Sequence, residues 1–112
     1  MTIVISKISD LEELEYRVYL YDGAKLVWTN EPLRRMMNSL SGKKVEFSHQ
    51  VYLKERVIVF KFKFNFEVKI SSVRIDAFKD SRRIYSRTYP FPSSFRLLPS
   101  DILELNWRLE IK

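Results

Sequence analysis

Cysteine is absent from this 112-residue chain, which removes both a disulfide framework and thiolate metal ligation. Histidine occurs once, at His49, with no thiol and no G-x-S-x-G elbow to pair with it, so a nucleophilic triad has no foundation. A metal site would need carboxylates alone around that one imidazole, and no spacing offers them. Glycine occurs only at Gly23 and Gly42, so most turns must be made by other residues. No apolar run is long enough to span a bilayer as a helix. The opening MTIVISKISDLEE has no basic segment before its apolar residues and soon meets acids, so no signal peptide is expected. These absences predict a soluble protein made without export, a single domain over residues 1–112, and no catalytic, cofactor-binding, metal-binding or small-molecule chemistry.

What is present is alternation. In VIVFKFKFNFEVKI, residues 57–70, every even position from Ile58 to Ile70 is apolar, while Lys61, Lys63, Asn65, Glu67 and Lys69 take the other side. Successive strand side chains face opposite ways, so this stretch predicts one long strand with a phenylalanine face and a charged face, reaching about 45 Å with one end projecting unless it bends sharply and belongs to both sheets. Four phenylalanines on one side require a second layer to cover them. The last strand, Leu103, Leu105, Trp107, Leu109 and Ile111 against Glu104, Asn106, Arg108 and Glu110, has the same pattern. Trp107 and the Phe60–Phe66 row are therefore expected in one core.

The rest of the chain supplies further strands. Thr2–Ser6 is a short β-prone run. Leu14, Tyr16, Val18 and Leu20 alternate up to Asp22-Gly23, a strong hairpin signal, and Leu26, Val27 and Trp28 return. One helix is predicted over residues 29–42: Thr29 or Asn30 as cap, Pro32 in the first turn, Leu33, Met36, Met37 and Leu40 on one stripe, and Gly42 beyond its end. Val45, Phe47, His49, Val51 and Leu53 share a strand face, which puts His49 in the core, before a turn at Lys54-Glu55-Arg56. The apolar phase slips by one residue at Ser71-Ser72 and requires a bulge or a turn. A polar turn spans residues 79–83, a short strand follows from Ile84 to Tyr89, and Pro90 and Pro92 predict an extended connection. Without crossovers for a parallel sheet, the expected fold is mainly β. It is an antiparallel two-sheet β-sandwich, immunoglobulin-like or jelly-roll, with one short α-helix.

The net charge is +6, which favours association with polyanions. Lys61, Lys63, Lys69, Arg82, Arg83 and Arg87 are the candidate nucleic-acid contacts, with Tyr52, Tyr85 and Tyr89 as possible stacking groups. Alternating lysines are equally the solvated side of a sheet, and Glu46, Glu67 and Asp76 interrupt the basic stripe. SGKK at residues 41–44 lacks a phosphate loop's first glycine, since Met37 stands there, and Lys44 replaces its hydroxyl. Charged residues at 30% with a single glutamine suit a heat-adapted protein.

The C-terminal third runs from an aliphatic strand at 73–78 into IYSRTYPFP, residues 84–92, and ends in LLPSDILELNWRLEI, residues 97–111. This resembles the ending of small β-sandwich tail-fibre or virion-surface proteins of tailed phages. TNEPLRRMMNSLSG, residues 29–42, is similar to the asparagine-led helix near their start. The two patches cover about half the chain. The glycine-rich loop that usually follows the helix in those proteins is replaced here by KKVEFSHQ. The resemblance implies a non-enzymatic structural protein of a virus particle, with a thermophilic host suggested by composition. Its location would be the virion, or otherwise the cytoplasm, and its partners other virion proteins and copies of itself, with no membrane contact. An unpaired terminal strand is the natural place for such contacts, so Thr2, Ile3, Val4, Ile5 and Ser6 are the candidate assembly residues. A basic nucleic-acid-binding or regulatory domain is the alternative.

Overall fold

The computed structural model describes residues 2–5, 14–31 and 42–111, with side chains for 14–31 and 42–110. The described strands are β1 (Thr2–Ile5), β2 (Glu15–Asp22), β3 (Lys25–Thr29), β4 (Val45–Tyr52), β5 (Val57–Phe64), β6 (Val68–Lys79), β7 (Arg82–Leu97) and β8 (Ile102–Ile111). They form two four-stranded sheets, in the orders β1-β8-β5-β4 and β3-β2-β6-β7. All pairings are antiparallel except β1 with β8, which is parallel. The predicted helix falls on residues 32–41, outside the described residues; Thr29, its expected cap, closes β3.

The two layers face each other through aromatic rings. Tyr16 on β2 meets Phe60 on β5 edge-on at 5.8 Å, Trp28 on β3 meets Phe62 at 5.4 Å, and Tyr89 on β7 meets Trp107 on β8 at 5.7 Å. One hydrophobic cluster joins both sheets, with Ile58, Phe60, Ile75 and Trp107 wholly excluded from solvent. The expected sharing of a core by Trp107 and the phenylalanine row holds: Phe60 and Trp107 touch edge-to-face at 5.2 Å. Phe66 is only partly buried.

Of the two arrangements expected for Val57–Ile70, the structure shows the sharp bend that places the stretch in both sheets, and not an unbroken strand with a projecting end. The stretch is two strands, β5 and β6, in opposite sheets, and the chain turns between them at residues 65–67. Asn65 makes the turn: its N–H donates to the Lys44 carbonyl at 3.1 Å and its side-chain oxygen accepts from the Lys44 N–H at 2.7 Å. The alternation survives because a chain rolling over the end of the core keeps the same side inward. The phase slip at Ser71-Ser72 is a bulge, seen as a register shift between Ile70 and Ser72 against β7.

Other local readings fare differently. The Asp22-Gly23 hairpin forms, with Gly23 at φ 62°. Asp80 and Ser81 both adopt positive φ, 51° and 64°, giving β6–β7 a mirror-image turn without glycine. Leu53 lies in the turn after β4 and not in the strand. The segment expected as a short strand plus a proline connection is one edge strand of 16 residues, β7. Pro90 and Pro92 are accommodated there because an edge strand has one ladder that needs no donor.

Trp107 is 0% exposed and bridges the layers, so Trp107→Ala should cost about 3–5 kcal/mol in the free energy of unfolding. Denaturant titration followed by far-ultraviolet circular dichroism measures this. A loss under about 1 kcal/mol would mean that the seam between the layers is soft there.

Candidate functional site

The outer face of the β1-β8-β5-β4 sheet is built from cross-strand rows. Glu46 pairs with Lys63 and then Ile102; Ser48 with Lys61 and then Glu104; Gln50 with Val59 and then Asn106; Tyr52 with Val57 and then Arg108. Lys61 and Lys63 therefore each have an acid directly beside them. Within these strands Lys61, Lys63 and Arg108 stand against Glu46, Glu104 and Glu110, and Lys44, just before β4, adds a cation on the same side.

The other outer face is organised around Asp76, which is 2% exposed although it points away from the core. Arg74, two residues earlier on the same face, donates to both carboxylate oxygens at 3.0 and 2.8 Å, and the Ser86 hydroxyl donates at 2.5 Å. The Arg83 guanidinium stands 4.0 Å away. Arg74 lies over the Tyr19 ring at 5.0 Å, and its hydrogen bond to Asp76 raises its pKa. Tyr19 donates to Glu31 at 2.6 Å, and Arg17 pairs with Glu31 and Glu15. Asn30 fastens this margin to β2, accepting from the Val18 N–H at 2.7 Å and donating to the Tyr16 carbonyl at 2.8 Å. A charge under one layer of side chains is tolerated because it is paired and fully hydrogen-bonded.

The sequence candidates for nucleic-acid contact are distributed over both layers. Lys61 and Lys63 lie on one outer face and Lys69 and Arg83 on the opposite one. Arg82 sits at the β6–β7 hairpin opposite Lys79, and Arg87 packs over the Tyr89 ring at 5.3 Å. Tyr89 is buried, and its hydroxyl shares a short hydrogen bond with that of Tyr85. A different set comes together at the end of the molecule. Lys25, Lys43 and Lys69 line a cleft of about 240 Å³ over Leu26, Val27, Phe66 and Val68, beside Asp22 and Glu67. Lys43 lies over the Phe66 ring at 5.1 Å, and Glu67 is paired with Arg96 at 2.9 Å.

The candidate assembly residues Thr2–Ile5 form β1, in parallel register with Arg108–Ile111; Ser6 lies outside the described residues. Four edges remain, and they differ. β1 and β3 are four and five residues long. β7 carries two prolines and two register shifts. β4 has eight residues, no proline and an uninterrupted register with β5. Short strands, prolines and bulges are the usual protections of an edge, so among the described residues β4 is the edge without them. On its inner side Val45, Phe47 and Val51 are only partly buried. His49, expected in the core, is exposed at this margin, its ring against Tyr16 at 5.5 Å and Phe60 at 6.0 Å.

Sequence reasoning missed the buried Asp76, the clamp at Asn30 and the edge position of β4. Arg74 two residues before Asp76 on one strand face was the only local hint of the first. No protein-family model, curated protein or solved structure matches the chain.

Burial raises the Tyr16 hydroxyl to about 12, and burial with the hydrogen bond to Glu31 raises Tyr19 to about 12. Both groups stay protonated in the fold between pH 10, where the unfolded chain ionises, and about 12. The unfolded state then binds fewer protons, so stability falls as pH rises through that window and is unaffected by these groups below it. Denaturant midpoints at pH 8, 10 and 11.5 should show this fall, and Tyr16→Phe should make it shallower.

Proposed function

We propose that this protein is a non-enzymatic structural component of a virus particle, a β-sandwich that joins other particle proteins and copies of itself through its sheet edges. The observation that carries this reading is β4, a regular edge strand flanked by incompletely covered apolar side chains. Such an edge accepts another strand, with backbone bonds supplying affinity and side chains selectivity. The neutral pairing on the β5 face and the arginine–carboxylate pairs on the opposite face leave little unmatched charge on either broad surface. The likeness of residues 73–111 to phage tail-fibre and virion-surface proteins directs the reading to a particle. Half of the neighbouring pairs are hairpin partners, β2 with β3, β4 with β5 and β6 with β7, and the others are β1 with β8, β5 with β8 and β2 with β6. That wiring fits a general β-sandwich better than either the immunoglobulin or the jelly-roll order.

The alternative, a basic nucleic-acid-binding domain, is supported by the cleft of Lys25, Lys43 and Lys69 and not by the lysines of β5. The two readings separate cleanly. The protein should be found by mass spectrometry in purified particles, and light scattering at high micromolar concentration should give more than the mass of one chain. Its affinity for a single-stranded oligonucleotide should be weak at 50 mM salt and little changed by Lys43→Glu. Tight binding that falls steeply with salt and is lost in Lys43→Glu would favour the alternative, because phosphate contacts release counterions.

A further inference from the structure

Resting on the assembly reading above, we propose that β4 pairs antiparallel with β4 of a second copy about a two-fold axis through Ser48, fusing two four-stranded sheets into one of eight strands.

The phase of the β4–β5 ladder decides which groups are free. The Asn65 N–H donates to the Lys44 carbonyl, so Lys44 and Asn65 are a hydrogen-bonded pair. Along the printed register, Glu46 with Lys63, Ser48 with Lys61, Gln50 with Val59 and Tyr52 with Val57 are then hydrogen-bonded pairs too. The N–H and C=O groups of Val45, Phe47, His49 and Val51 therefore point away from β5, at the open edge. A partner strand must present its own odd-numbered residues to them.

An axis at Ser48 satisfies that condition and matches the side chains. Val45 then lies opposite the partner's Val51, and Phe47 opposite the partner's His49, each in a hydrogen-bonded pair. On the outer face Glu46 meets the partner's Gln50, Lys44 meets the partner's Tyr52, and Ser48 meets the partner's Ser48. No like charges are opposed, and like charges directly opposite are what destabilise a ladder. An axis at His49 would instead set Lys44 against the partner's Lys54. Ser48 has the smallest side chain on this face of β4. It lines two hollows there, one of about 310 Å³ with Glu46, Lys61, Lys63 and Ile102, and one of about 150 Å³ with His49, Gln50 and Tyr52. A two-fold axis makes the contact self-complementary and closed. Eight residues of ladder make a small interface, so the dimer belongs to the weak class that forms at tens to hundreds of micromolar, roughly.

The chain contains no cysteine, which permits a direct test of the register. Opposed residues of a non-hydrogen-bonded antiparallel pair have Cα atoms about 4.5 Å apart, within disulfide range. Under mild oxidation the full-length Ser48→Cys chain should convert largely to a covalent dimer. Glu46→Cys and Gln50→Cys should each stay monomeric alone and cross-link only when mixed with each other. If Ser48→Cys cross-links no more than Gln50→Cys while the unaltered protein is oligomeric by light scattering, this pairing is wrong and assembly uses another edge. If the unaltered protein is monomeric at high micromolar concentration and no variant cross-links, both the pairing and self-assembly fail. Detection in purified particles would then be the remaining support for the assembly reading, through a different particle protein.

Discussion

Phe60 is the contact on which the two layers depend. Its ring is 0% exposed and is met by Trp107 on the neighbouring strand, by Tyr16 from the opposite sheet, and by Phe47 and His49 from the edge strand, all between 5.2 and 6.1 Å. The Trp107 and Tyr16 contacts are edge-to-face, and such contacts add to the area they bury and fix relative orientation, which aliphatic contacts do less well. Because the cluster reaches from the centre of the core to its open margin, the same rings that hold the layers also shape the β4 edge. The β4 edge is therefore an extension of the core.

Charge follows a different logic. Each outer face matches its own charges, by cross-strand neighbours on one side and by the Asp76 cluster on the other. Internal matching lowers the long-range field that would attract an arbitrary polyanion. Further cations lie at the end of the molecule, in the Lys25, Lys43 and Lys69 cleft, and along β7. Under the reading proposed above, recognition falls to backbone groups at the margins rather than to the broad faces.

Much of the architecture was legible in the sequence. The alternation of β2, β4, β5 and β8, the Gly23 hairpin, the bulge after Ile70 and the two covered layers all follow from period and phase. That the stretch was too long for one sheet was legible from its length, but the position of the bend between β5 and β6 was not, because Phe64, Phe66 and Val68 remain in phase while the chain passes from one sheet to the other. Periodicity reports which side faces the core and is silent on which layer provides it. The burial of Asp76 was hidden for a related reason: it requires β7 to bring Ser86 and Arg83 alongside β6, a pairing that no local signal announces. The exposure of His49 depends likewise on β4 being an edge, which is a property of strand order.

The prolines of β7 also limit how large a structure the fold can build. Every sheet has two margins, and growth through both leads to filaments. Here the β7 margin lacks donors at Pro90 and Pro92 and is irregular at two register shifts, and the margins at β1 and β3 offer only four and five residues. Among the described residues one margin is left with a regular, proline-free ladder. Under the pairing proposed above, a unit with a single valence of this kind terminates at a pair, and growth into a filament through both margins of a sheet would need a second regular edge.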